Sequence, residues 1–119
     1  MPHLFVYGTL KRGGSNHGHL AGQKFVADAH TAPGFTLYSL GDYPGLAAAS
    51  DDHQGVKGEL WLVDDATLAR LDEFEGVPEG LYRREPVPLI PPHARVRAEA
   101  YLYARPLTGC PRLGDRWEV

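Results

Sequence analysis

The stretch that decides the fold is GVKGELWLVDDATLARLDEFEG, residues 55–76, because it holds both the clearest strand and the clearest helix of the chain. In residues 55–63, Val56, Leu60 and Leu62 fall on one face at the two-residue period of a strand. Residues 64–75 have leucines at helical spacing, preceded by an aspartate suited to cap the first helical turn. One helix set among many strands is typical of an α+β fold.

On either side of this stretch, short apolar and aromatic runs alternate with turn residues. The 14 glycines and 10 prolines are spread along the chain without a period, which indicates many short strands joined by tight turns. Further strands are predicted at residues 3–7, 23–31, 35–40, 46–49, 81–90 and 95–104. Residues 11–19 are predicted to form a polar loop, and residues 105–119 a mostly irregular tail.

Length and charge narrow the functional classes. With 119 residues, the chain is predicted to be a single domain spanning residues 1–119. A net charge of −3 argues against nucleic acid as the main partner, because phosphate binding needs a basic excess. No apolar run approaches the roughly 18 residues that span a bilayer, and the N-terminus lacks the pattern of a signal peptide, so we expect a cytoplasmic protein that does not contact membranes.

The cysteine and histidine content bears on disulfides and metals. The single cysteine, Cys110, excludes an internal disulfide framework and a thiolate metal cluster. The six histidines do not show the spacing of a zinc site, so no metal is predicted.

Two glutamates of the predicted helix are expected to have different environments. At about 100° per residue, Glu75 falls between Leu68 and Leu71 on the apolar face, whereas Glu73 falls on the opposite face. Desolvation disfavours the charged form of a carboxyl and raises its pKa. Glu75 is therefore a candidate general acid and base near neutral pH.

Two structural interpretations of Glu75 remain open at this point. In the first, the helix frays before Glu75 and the side chain reaches water. In the second, Glu75 forms a buried ion pair with Arg83 or Arg84. Asp72 lies at the edge of the apolar face and is expected to be a surface or capping residue. Gly76 is predicted to end the helix in the left-handed conformation.

The turn after the first predicted strand is the second candidate site. A glycine-containing turn such as Tyr7-Gly8-Thr9-Leu10 can direct successive backbone N–H groups into one concavity that binds an anion. Lys11 and Arg12 are expected to add positive charge beside it. An ordinary glycine turn with two solvated cations is the other interpretation.

Four motifs, taken together in their order and spacing, resemble the γ-glutamylcyclotransferase-like family, in particular its γ-glutamylamine cyclotransferase branch. They are LFVYGTLKRG (residues 4–13) followed by Asn16-His17, VKGELWLVD (residues 56–64), LDEFEG with LYRR (residues 71–76 and 81–84), and GDRW (residues 114–117).

The resemblance implies a small mixed β-barrel with a few external helices and a cavity at one barrel mouth. It implies that Glu75 is the catalytic glutamate and that Tyr7, Gly8, Thr9 and Leu10 bind the anionic end of the substrate. Tyrosines that line the site in relatives fall on Tyr82 and Tyr103.

The implied reaction is cyclisation of a small γ-glutamyl amine or amino acid, which releases 5-oxoproline and a free amine without any cofactor. A non-catalytic module that binds a small γ-glutamyl or carboxylate metabolite stays open, as does a lyase acting on the γ-glutamyl group of an antibiotic or polyamine intermediate. A pure interaction protein has no specific residues in its favour. A monomer and a homodimer are both compatible with the sequence.

Overall fold

The computed structural model describes residues 1–119, which form eight strands, one α-helix and a single 3₁₀ turn. The strands are β1 (His3–Val6), β2 (Lys24–His30), β3 (Phe35–Ser39), β4 (Pro44–Ala48), β5 (Lys57–Leu62), β6 (Tyr82–Val87), β7 (Ala98–Tyr103) and β8 (Arg112–Gly114). The helix α1 (Asp65–Phe74) connects β5 to β6, and the 3₁₀ turn (His17–Leu20) follows β1. Neither helix has the length and apolar character that crossing a membrane requires.

All eight strands belong to one mixed sheet. Its order is β2-β5-β1-β7-β4-β3-β8, with β6 paired along the other side of β7. A bridge between Thr31 and Leu89 brings the end of β2 against the chain that follows β6. The sheet is thereby curled into a half-barrel with one α-helix outside it, which confirms the predicted α+β barrel-like fold.

The sheet is buried on both faces in its centre, and β1 shows this in successive residues. Phe5 points into the half-barrel with Leu60 and Ala100. Leu4 and Val6 point outward and pack with residues of α1. Strand β1 therefore lies between the barrel interior and the helix, and the turn that follows it is held from both sides.

Helix α1 begins and ends where its sequence predicts. The Asp64 side chain accepts a hydrogen bond from the Thr67 N–H at 2.7 Å, which caps the first turn. At the other end, Gly76 has φ of 70°, and the Val77 N–H donates to the Asp72 carbonyl at 3.0 Å. The glycine allows this left-handed stop because it has no Cβ.

Two segments contain a short element that the sequence pattern does not predict. The tail is mostly irregular, as predicted, but its strand β8 pairs with β3, with Leu37 opposite Gly114. The predicted loop of residues 11–19 ends in the 3₁₀ turn, whose Leu20 is buried against the face of the sheet that α1 covers. Both elements are short, and tertiary contacts rather than a local periodicity stabilise them.

Strand β7 has two neighbours on the side opposite β6, and this creates a fork in the sheet. Strand β1 runs parallel to β7 only at His3 and Leu4. Further along β7, β4 takes over, with Leu46 opposite Leu102. The carboxyl end of β1 therefore separates from β7, and the gap between β1 and β4 is the place where a cavity can open.

Candidate active site

A cavity of about 190 Å³ opens at this fork. Its wall is largely apolar and aromatic, and Glu75 is its only carboxylate; no lysine, arginine or histidine lines it. The lining residues are Phe5, Val6, Tyr7, Gly8, Thr9, Leu10, Asn16, Tyr43, Pro44, Phe74, Glu75, Leu81, Tyr82 and Tyr101. Of the seven residues that the sequence analysis names for the site, the structure places six around this cavity and leaves out Tyr103.

Glu75 is the residue directly after α1, and it keeps the direction of the helix. Its N–H still donates to the Leu71 carbonyl at 2.8 Å, so its side chain extends from the apolar face of α1. Burial raises the pKa of the Glu75 carboxyl from 4.5 to about 7. Near neutral pH this group is present in both its acidic and its basic form.

The ion-pair interpretation of Glu75 is wrong, and the helix does not fray before this residue, although Glu75 remains partly exposed. Arg84 pairs with Asp72 and Glu99, and Arg83 pairs with Glu85. The Glu75 side chain makes no hydrogen bond or ion pair, and its residue is partly buried. Desolvation still raises its pKa. A partly buried carboxyl without a partner in the protein is available to a ligand.

The turn after β1 lines the same cavity and carries three donors without a partner. The backbone N–H groups of Gly8, Thr9 and Leu10 make no hydrogen bond within the protein. Buried N–H groups are normally paired, so three consecutive unpaired donors at a cavity wall indicate a place for an acceptor.

Hydrogen bonds to the carbonyls of this turn hold its peptide planes. The Gly8 carbonyl accepts from the Lys11 N–H at 3.1 Å, and the Thr9 carbonyl accepts from the Asn16 N–H at 2.9 Å. The C=O and N–H of a trans peptide point in opposite directions. The Thr9 and Leu10 N–H groups, which follow these two carbonyls, therefore point away from the interior of the loop. His17 Nδ1 lies 2.9 Å from the Leu10 carbonyl and carries the proton in that contact, because a carbonyl only accepts.

The expectation that Lys11 and Arg12 place positive charge beside this turn is wrong. Arg12 donates to Glu59 Oε2 at 3.0 Å and to Asp28 Oδ1 at 3.1 Å, and its backbone N–H also donates to Glu59. The Lys11 ammonium donates to the Trp117 carbonyl at 2.6 Å. Both cations anchor the loop through these partners, and neither lines the cavity.

Two of the predicted tyrosines line the cavity, and their hydroxyls bind the backbone. The Tyr7 hydroxyl donates to the Tyr101 carbonyl at 2.6 Å and accepts from the Leu46 N–H at 3.3 Å. The Tyr82 hydroxyl donates to the Pro44 carbonyl at 3.1 Å. Burial raises the pKa of both phenols, so they stay neutral near pH 7 and hold the two sides of the fork together.

Tyr103 lies behind the cavity wall. Its ring packs edge-on against the Tyr82 ring, with centroids 5.3 Å apart, so it supports Tyr82 from behind.

Sequence reasoning missed three residues beside Glu75. Tyr101 lines the cavity, and its hydroxyl donates to Asp72 Oδ1 at 2.7 Å. Asp72 is therefore not a surface or capping residue, because Arg84 also binds it through two nitrogens, at 2.8 and 3.0 Å. One sequence feature could have indicated this ion pair: Asp72 lies at the edge of the apolar helix face, and Arg84 lies on the next predicted strand.

Residue 8 must be glycine because the turn after β1 packs closely against Pro44 at the start of β4. A Cβ at position 8 would lie 2.7 Å from Pro44 Cγ, a distance that real Cβ atoms essentially never show. The β1 turn and the start of β4 therefore meet only because residue 8 has no side chain.

The fold and cavity define a class of protein: a small α+β half-barrel whose cavity is lined by one partly buried carboxyl and by a row of unpaired backbone donors. The chain belongs to the family described as gamma-glutamyl cyclotransferase, AIG2-like, whose model matches residues 4–119. The functional class of this chain is therefore that of the γ-glutamylcyclotransferase enzymes, as its motifs predict.

Individual relatives agree with this assignment. A protein of Vibrio cholerae serotype O1, provisionally named gamma-glutamylcyclotransferase, is 49% identical over 88 residues, 73% of each chain. The gamma-glutamylaminecyclotransferase of Rattus norvegicus is 38% identical over 91 residues, which are 71% of this chain and 60% of that protein. The crystal structure of an AIG2-like protein from Mus musculus superposes with a TM-score of 0.82 at 31% identity, covering 99% of this chain and 88% of that one.

Proposed function

We propose that this protein is a γ-glutamylamine cyclotransferase that uses Glu75 as its general acid and base. The α-amine of the γ-glutamyl group attacks the γ-carbonyl carbon, the bond from that carbon to the amide nitrogen breaks, and 5-oxoproline and a free amine are released. The observation that carries this proposal is the unpaired Glu75 carboxyl in one cavity with the unpaired N–H groups of residues 8–10.

The two kinds of group in this cavity, unpaired donors and a carboxyl, match the α-carboxylate and the α-ammonium of a γ-glutamyl group. The N–H groups would donate hydrogen bonds to the α-carboxylate, and Glu75 would accept one from the α-ammonium. With the α-carbon held through both groups, the α-nitrogen is oriented to attack the γ-carbonyl carbon and close a five-membered ring. Alignment of this kind lowers the barrier of an intramolecular reaction by roughly 7–11 kcal/mol.

The raised pKa of Glu75 suits the proton transfers. An α-ammonium with an ordinary pKa of about 8 cannot attack until it loses a proton. A carboxylate with a pKa of 4.5 would take that proton against a gap of more than three units, whereas a pKa of about 7 reduces the gap to about one unit. Glu75 passes this first proton to the leaving nitrogen and takes the second proton that the attacking nitrogen loses on becoming the lactam N–H, so the leaving group departs as an amine. That second proton then passes to the solvent or to the released amine.

The cavity lining supports an amine rather than an amino acid as the leaving group. In a γ-glutamyl amino acid, a second carboxylate is attached one carbon from the amide nitrogen. No basic side chain lines the cavity to pair with that carboxylate, and an unpaired charge is costly to bury. A leaving group such as an alkylamine, a polyamine or the lysine side-chain nitrogen avoids this cost.

The experiment is release of 5-oxoproline, measured by liquid chromatography and mass spectrometry. The substrates are γ-glutamyl-butylamine, γ-glutamyl-ε-lysine, a γ-glutamyl polyamine, γ-glutamyl-alanine and glutathione. We expect release from the first three and a loss of about 10²–10⁴-fold in Glu75→Gln. Glu73→Gln is the matched control, because it makes the same change two residues earlier on an exposed position.

The outcomes separate the candidate functions. Full activity in Glu75→Gln would contradict the assigned base. Turnover of glutathione and γ-glutamyl-alanine at the rate of the alkylamine would contradict the proposed leaving group. A folded wild-type protein that binds 5-oxoproline but releases none from any substrate would be a binding module.

A further inference from the structure

The residues next to Glu75 include a charge cluster that the proposed reaction does not use. Asp72 of α1, Arg84 of β6, and Glu99 and Tyr101 of β7 are joined by four hydrogen bonds of 2.6–3.0 Å. The side chains of Asp72 and Arg84 are 24% and 26% exposed. The cluster thus joins the last turn of the helix to two strands of the sheet beneath it.

The position of this cluster relative to the cavity is set by the sheet and the helix. Arg84 and Tyr101 are direct cross-strand partners, and the Tyr101 ring is part of the cavity wall. Asp72 precedes Glu75 by three residues, a spacing that puts two side chains on the same helix face about 5–6 Å apart at Cβ. A carboxylate at this position would oppose ionisation of Glu75 if no cation compensated its charge.

Arg84 supplies that compensation. Its guanidinium binds Asp72 with two parallel hydrogen bonds, the geometry in which arginine and carboxylate interact most strongly. Although burial raises the pKa of Asp72, the hydrogen bonds from Arg84 and Tyr101 outweigh it and hold that pKa below its usual value. Asp72 is therefore a carboxylate near neutral pH, and its charge is paired with that of Arg84.

The other groups that face Glu75 carry no charge near neutral pH. They are Tyr7 from the turn after β1, Tyr82 from β6 and Tyr101 from β7, and burial raises the pKa of each phenol. Glu73, in the same turn of α1, is exposed to water. Besides Glu75 itself, Asp72 is thus the carboxylate of this turn that is partly buried.

We propose that Arg84 is a positioning residue of the active site: it holds Asp72, and through Asp72 the Tyr101 hydroxyl, and so offsets the negative charge that lies one helical turn from Glu75, although Arg84 also pairs with Glu99. The consequence for catalysis rests on the proposed function, because it concerns the ionisation of the proposed base. Arg84 does not line the cavity and acts only through its neighbours.

The test follows the ionisation of Glu75 directly. In protein labelled with ¹³C at glutamate side chains, the Glu75 carboxyl resonance is assigned by its absence from Glu75→Gln and titrated by NMR. We expect Arg84→Gln to move the midpoint to higher pH by about half a pH unit or more, since Asp72 is then uncompensated. Asp72→Asn should move it to lower pH, and Arg84→Lys should keep it near that of the wild type because the charge is retained.

Arg83→Gln is the matched control. Arg83 is the adjacent arginine of β6, is exposed, and pairs only with Glu85. A midpoint that moves no further in folded Arg84→Gln than in Arg83→Gln would overturn the proposal. If Arg84→Gln does not fold, the Asp72→Asn titration decides, and an unmoved midpoint there would overturn it as well.

The acid limb of kcat/KM separates this inference from the proposed function. In an active enzyme it should follow the NMR midpoint in each variant. If the wild type is active and the Glu75 midpoint is unchanged in Arg84→Gln, the proposed role of Arg84 is wrong and the proposed cyclotransferase activity stands. A mobile midpoint in a protein without turnover supports the role of Arg84 and rejects the cyclotransferase.

Discussion

Glu75 reduces the stability of the folded protein at neutral pH, because its carboxyl is buried without a partner. Its pKa is 4.5 in an ordinary environment and about 7 in the folded state. The folded protein therefore holds the Glu75 proton more tightly than the unfolded chain does. This costs nothing below about pH 4, where both states are protonated, and the cost grows until the folded state ionises near pH 7.

The stability of Glu75→Gln should follow this pH dependence. We expect the variant to gain almost nothing over the wild type near pH 4 and about 2–3 kcal/mol near pH 8, from the 1.36 kcal/mol that each pKa unit represents. Urea denaturation at the two pH values measures the gain, with Glu73→Gln as the control for loss of an exposed carboxylate. An equal gain at both pH values would show that Glu75 is not desolvated.

At the scale of elements, the cavity exists because two strands share one side of β7. Tyr7, which directly follows β1, connects the end of β1 to the other two strands. Its hydroxyl donates to the Tyr101 carbonyl of β7 and accepts from the Leu46 N–H of β4. The same fork brings the turn after β1 against Pro44, with Gly8 at the closest approach. The donors of the turn and the carboxyl of α1 are thus set by the spacing of β1, β4 and α1.

Gly8→Ala tests this spacing. The added methyl group must displace either Pro44 or the turn, and a shift of about 1 Å is expected to lower kcat/KM by about 10²-fold. The double variant Gly8→Ala/Pro44→Ala removes the clashing ring atoms, so its activity should approach that of Pro44→Ala alone. Steady-state kinetics of the three variants measures this coupling. Independent, additive losses would mean that the contact between Gly8 and Pro44 does not set the geometry of the turn.

Viewed as a whole, the molecule shows which features a sequence can predict. The place of Glu75 on the apolar face, the helix stop at Gly76 and the turn at Gly8 all depend on neighbours within a few residues, and a local pattern indicates them. Most strands are also marked by alternation between turn residues. The three-residue β8 is not, because too few residues alternate and its pairing with β3 is a long-range contact.

The remaining parts of the site depend on contacts between distant residues. Asp72 meets Arg84 across 12 positions and Tyr101 across 29, so no periodicity within α1 shows that Asp72 faces inward. The direction of Lys11 and Arg12 is likewise set by Trp117 and Glu59, 106 and 47 positions away. Charge counted along the loop therefore predicted cations beside the cavity, whereas these partners hold them outside it.

The most direct test of the account as a whole is the identity of the products formed in ¹⁸O-labelled water. The wild-type protein is given γ-glutamyl-butylamine, and the products are weighed by mass spectrometry. Intramolecular attack uses no water, so the account predicts 5-oxoproline without ¹⁸O and one equivalent of butylamine. Glutamate carrying one ¹⁸O would show that water is the nucleophile, and that result would contradict a cyclotransferase at this site.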